Sequence, residues 1–169
     1  MKKKMIGLFL LCSLIGFSFN SVDSIREKSR QIPKENAFKY HGERNNEFWY
    51  NWNSIDAKVT YKNNEVKEIY IKGTYISEQN KGKVFEKFLR ELNKIVGIEN
   101  FNTVLQKLNL NEDYLYFATD EKQVFTEETK QYKLTVSSRR DLGEFFFGAS
   151  WTSRRTKDKN ALIISIKAK

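Results

Sequence analysis

Sulfur, imidazole and proline are nearly missing from this chain, which has one cysteine, one histidine and one proline in 169 residues. Each shortage excludes a class of chemistry. A structural or catalytic zinc or iron site needs three or four nitrogen or sulfur ligands, and His41 with Cys12 cannot supply them. No Asp-x-Asp-x-Asp-Gly loop stands in for such a site with calcium, so no metal and no cofactor is expected. The lone histidine lies between Tyr40 and Gly42 in a polar stretch, and no Gly-x-Ser-x-Gly turn occurs to give it a serine to activate. Glycines are also few. Gly143 and Gly148 are too isolated to cradle a phosphate.

Long apolar runs are limited to one. Lys2, Lys3 and Lys4 precede an uncharged stretch from Met5 to Phe19, which falls short of the roughly 20 residues that span a bilayer. With small residues at Gly16 and Ser18, this reads as an export signal, residues 1–18, removed near Ser18 and directing the rest to a periplasmic or extracellular location. Cys12 is inside the run, preceded by Leu10 and Leu11 where a lipid-anchor signal requires small residues. Cleavage therefore leaves no cysteine, hence no thiol nucleophile and no disulfide. It also takes three lysines from a net charge of +9, leaving +6. Such basicity suits an anionic partner, an envelope protein, a glycan or another anionic polymer, and nothing indicates a specific nucleic acid.

What is abundant is aromatic. Phe, Tyr and Trp make up 14% of the chain, which predicts a packed domain despite the many charged residues. Residues 19–46 are polar and read as a flexible lead-in, although Val22, Ile25 and Ile32 give a weak helical face after Ser21 or Asp23. From residue 47 to 169 a single domain is expected. Ile55, Ala57, Val59 and Tyr61 alternate with polar residues as in a half-buried strand, Asn63-Asn64 marks a turn, and Ile69, Ile71, Gly73 and Tyr75 continue a hairpin.

Lys81 to Gly97 is the plainest helix. Val84, Phe85, Phe88, Leu89, Leu92, Ile95 and Val96 form one apolar stripe, and Gly97 suits a left-handed C-cap. A second helix starts near Asn100, with Phe101, Val104, Leu105 and Leu108 at helical spacing. Strands follow at Tyr114–Thr119, Gln123–Glu127, Tyr132–Ser138, Glu144–Ser153 and Ala161–Ala168, joined by short polar connections. The expected fold is α+β, an antiparallel sheet of five to seven strands with a two-helix hairpin on one face, in the order ββ-αα-βββββ. Phe145, Phe147, Ala149 and Trp151, with Leu162, Ile164, Ile166 and Ala168, should line the core.

The chemistry-bearing residue types point away from an enzyme. A glycan hydrolase needs only two carboxylates, but Glu127 and Glu128 fall in an exposed turn and Glu144 on a solvent face. Arg139-Arg140 and Arg154-Arg155 bracket an extended strand. At the rise of a strand the two pairs stand roughly 33 Å apart, too far to share one phosphate. Aromatics give the better candidate. If Phe48 to Asn53 is strand, Tyr50 and Trp52 lie opposite the Ile55 face, as Phe146 lies opposite its own core face. Tyr50, Trp52 and Phe146 then become a solvent-facing surface able to stack on a macromolecule. The alternative is a carrier that holds an apolar small molecule between helices and sheet, among Phe88, Leu92, Phe147 and Trp151.

Overall fold

The computed structural model describes residues 19–74, 81–108, 122–140 and 160–169. In chain order these form α1 (Val22–Arg30), β1 (Lys39–Arg44), β2 (Glu47–Trp52), β3 (Ile55–Lys62), β4 (Glu65–Thr74), α2 (Lys81–Val96), α3 (Phe101–Leu108), β5 (Lys122–Glu128), β6 (Tyr132–Arg140) and β7 (Asn160–Ala168). The strands make one seven-stranded sheet in the order β1-β2-β3-β4-β7-β6-β5, antiparallel throughout. The protein is thus α+β on an antiparallel sheet, as expected. The expected strands Tyr114–Thr119 and Glu144–Ser153 lie outside the described residues, as do Phe145, Phe147, Ala149 and Trp151.

The start of the chain departs from expectation. Residues 19–46 are not a flexible lead-in, for they supply α1 and β1, with Val22 and Ile25 fully buried. Ser21 caps α1, its side chain accepting from the Ser24 N–H, and so short a helix needs only two or three apolar residues to seat it. The sequence marks that face only weakly, because most of the residues around it are charged or polar. The element order among the described residues is therefore α-ββββ-αα-βββ.

Three tight turns build the first half of the sheet. Asn45-Asn46 and Asn63-Asn64 adopt the same positive φ pair, 53° and 61° in each case, the left-handed conformation of a two-residue hairpin that Asn tolerates. Between them Asn53, also at positive φ, opens the turn from β2 to β3. Phe48 then pairs with Val59 and Tyr50 with Ala57, which places all four on one face.

That face holds the core. Ile69, Ile71, Ile164, Ile166, Leu134 and Val136 share one buried cluster with Phe85, Phe88, Leu89 and Leu92 of α2 and with Val22 and Ile25 of α1. The Phe85 ring lies directly on Gly73, where any Cβ would overlap it. Gly97 ends α2 at φ +66°, the left-handed cap expected there. Each large apolar side chain so buried contributes roughly 1.5 to 3 kcal/mol, so a one-residue slip of any strand would be strongly destabilising.

Candidate functional site

Of the expected aromatic surface, Tyr50 belongs elsewhere. It is 0% exposed and faces the core. The two-residue turn between Trp52 and Ile55 inverts the parity assumed for a continuous strand, so Tyr50 shares the face of Ala57 instead of opposing it. Its ring stacks on Phe38 at 5.6 Å and meets Tyr40 at 5.5 Å. Ser29 Oγ donates to the Ile25 carbonyl at 2.6 Å, so the Tyr50 hydroxyl donates to Ser29 at 2.7 Å. Burial pushes the Tyr50 phenol above its ordinary value, outweighing the Ser29 bond. Trp52 is half-buried against the core, with Lys87 Nζ 5.0 Å from its ring centre. Phe146 lies outside the described residues.

The two described members of the alternative cavity, Phe88 and Leu92, are fully buried, and the Phe88 ring lies 5.3 Å from that of Phe38. Phe147 and Trp151 lie outside the described residues, as does Glu144. Glu128 is ion-paired with Lys169 at 3.0 Å and Lys133 at 3.3 Å. Those bonds hold its carboxyl below the ordinary value, the reverse of what an acid catalyst requires.

The opposite face of the sheet is mostly polar, and it is ordered in rows. Asn51, Asp56, Lys72, Ile163 and Ser137 stand side by side across five strands. Lys72 is only 3% exposed there. The Asn51 amide donates to the Asp56 carboxyl at 2.7 Å. Burial nevertheless pushes that carboxyl up, against this bond and against the charges of Lys72 and His41. The same amide donates to the carbonyls of Asn53 at 3.0 Å and Ile55 at 3.2 Å, tying the row to its hairpin turn.

The next row begins at Trp49, beside the sheet edge formed by β1. A bulge at His41-Gly42 sets two residues of β1 against Trp49. It opens a hollow of about 180 Å³ lined by His41, Gly42, Glu43, Arg44 and Trp49. The exposed Arg44 guanidinium lies 4.8 Å from the centre of the buried Trp49 ring, and Lys58 Nζ lies 5.7 Å from it. Glu47 pairs with Lys58 at 3.1 Å and offsets part of its charge.

On the core side of the same edge strand, Arg26 grips Glu43 with two bonds of 2.8 Å each. Such a two-pronged guanidinium-carboxylate pair is strong and fixes orientation. Tyr61 donates to the same carboxylate at 2.5 Å, and Asp23 holds the third guanidinium nitrogen at 2.5 Å. Arg26 and then Tyr61 hold the Glu43 carboxyl down at about 2, despite partial burial. This network fastens α1 to β1 and β3. It leaves Glu43 ionised and saturated, which suits a structural clamp better than catalysis.

Arg44 and Lys58 were missed from the sequence because their grouping depends on the β1 bulge and the β2-β3 pairing. The usable signal was Arg44-Asn45-Asn46-Glu47, which repeats the pattern of Lys62-Asn63-Asn64-Glu65 and marks an earlier hairpin. Among the described residues no group of three His, Cys, Asp or Glu side chains could hold a metal, and no helix is long and apolar enough to cross a membrane. No known family model matches the chain, and no curated protein or solved structure shows significant similarity to it.

Proposed function

We propose that this is a small exported, non-enzymatic binding protein that takes an anionic envelope or extracellular polymer along edge strand β1. The observation that carries the reading is the pair of cations, Arg44 and Lys58, held over Trp49, which together with Arg44 lines the β1 hollow. Stacking on the ring fixes the two side chains, so less entropy is lost when they meet an anion. The net charge of +6 left after export favours encounter with such a partner. Export itself rests on Lys2 to Lys4 and the apolar run Met5 to Phe19.

In this reading the helix hairpin α2-α3 closes the core face as a packed layer, so the ligand surface is on the other side and at the edge. Phe85 on Gly73 and Phe88 on Phe38 support that placement.

The test is retention on immobilised poly-L-glutamate and dextran sulfate over a salt gradient. The Arg44→Ala, Lys58→Ala double variant should elute at clearly lower salt than the parent and bind roughly tenfold more weakly. Lys67→Ala, at an exposed ion pair with Glu65 on a strand that does not neighbour that of Trp49, should elute with the parent. Identical elution of the double variant and the parent would remove the site.

A further inference from the structure

Phe19 and Asn20 directly follow the segment read as an export signal, yet both are built into the fold. The Phe19 side chain is 8% exposed and belongs to the core cluster. The Asn20 backbone N–H donates to the Val96 carbonyl at 2.7 Å, and its side-chain amide donates to the Ile95 carbonyl at 2.8 Å. Both acceptors are among the last four carbonyls of α2, which have no partner inside the helix. Gly97 N–H takes the Asn93 carbonyl at 2.8 Å, and Ile98 N–H takes the Asn93 side chain at 2.7 Å. The Asn20 amide lies so close over Gly97 that a Cβ there would collide with it. The end of the principal helix is thus closed by a residue 75 positions earlier in the chain.

We propose that the bond between Ser18 and Phe19 is the export processing site, and that Phe19-Asn20 then forms the fixed N-terminus that clamps α2. The inference rests on the export reading above. Gly16 and Ser18 supply the small residues that a signal peptidase needs at the third and first positions before the cut. Hydrolysis consumes one water, leaving a carboxylate on Ser18 of the departing segment and an α-ammonium on Phe19. That ammonium is one residue from the bond to Val96, at the negative end of α2, where a cation is favourable. A cut two residues later would discard the Phe19 ring and both Asn20 bonds.

The full chain, expressed in a bacterial host with a working export pathway, gives the test through the intact mass and N-terminal sequence of the exported product. A product beginning at Phe19 supports the proposal. An exported product that begins at any other residue, or that is uncut, overturns it. Full-length chain confined to the cytoplasm overturns the export reading and, with it, the processing site. The clamp has its own readout in Asn20→Ala and Asn20→Asp, made in the full chain. The first removes one bond to α2, and the second also sets a negative charge against its carbonyls. Melting should fall by about 2 to 5 °C for the alanine and further for the aspartate. Unchanged melting in both would overturn the clamp whatever the compartment.

Discussion

Glu43 and Asp56 stand on opposite faces of the same sheet, and their carboxyls are displaced in opposite directions. Glu43 accepts from Arg26 and Tyr61 and is held at about 2, against an ordinary 4.5. Asp56 has one amide donor and is pushed above its ordinary 3.8 by burial. The contrast separates two ways of placing a charge near a core. Where a helix brings a guanidinium to the carboxylate, the ion becomes a fastening; where a row of side chains covers it, ionisation opposes the fold.

The largest effect expected on the packed side is from Phe88→Ala, which removes a fully buried ring. It should destabilise by roughly 3 to 5 kcal/mol, seen as a large fall in denaturation midpoint. A loss under about 1 kcal/mol, far below the usual range for a buried ring, would mean that α2 stands off the sheet.

Next comes Glu43→Gln, which takes from Arg26 the carboxylate it grips with two bonds and leaves only the exposed Asp23 as an ionic partner; it should cost about 1.5 to 3 kcal/mol at neutral pH. Because the folded-state value is depressed, the Glu43 contribution is complete above about 4.5 and disappears as pH falls toward about 2. The parent should therefore lose stability across that window, and the variant should lose less. Asp56 acts in the other sense, since its contribution is present in acid and is lost as pH rises through its elevated value. Parallel acid slopes in parent and variant would refute the clamp at Glu43.

A smaller change, about 1 kcal/mol, is expected from Tyr50→Phe, which keeps the stacked ring and removes only the bond to Ser29. Chemical denaturation would show it as a shifted midpoint at constant slope. The smallest is Arg44→Ala, within about 0.5 kcal/mol for an exposed side chain, although polyanion retention should fall. A stability loss as large as that of Glu43→Gln would make Arg44 structural and abolish the distinction between the two sides of β1.

Much of this fold was legible. Periodicity marked α2 and α3, Gly97 marked the helix end, and Asn63-Asn64 marked a hairpin, because each signal acts within a few residues. The identical Asn45-Asn46 pair was equally readable, but charged neighbours disguised β1 and α1 as a spacer. The candidate site was harder. One two-residue turn decided which aromatics face the core, giving Tyr50 to the interior and Trp49 to the polar side. The grip of Arg26 on Glu43 spans 17 residues and joins a helix to a strand, a relation that no local pattern encodes.

The pairing of β4 with β7 bears on the order in which the chain acquires its structure. Strands β1 to β4 close through successive short hairpins, whereas Glu68 meets Lys167 across most of the chain. Loop-closure entropy grows by roughly 0.6 kcal/mol for each doubling of length, so joining β4 to β7 is about 3 kcal/mol harder than closing a two-residue hairpin. The N-terminal meander can therefore assemble while β7 has yet to arrive, and its β4 edge stays open until then. Refolding should show an early phase reported by Trp49 and Trp52 and a later one set by β7, and in that interval the bare β4 edge is the place where two chains would pair wrongly.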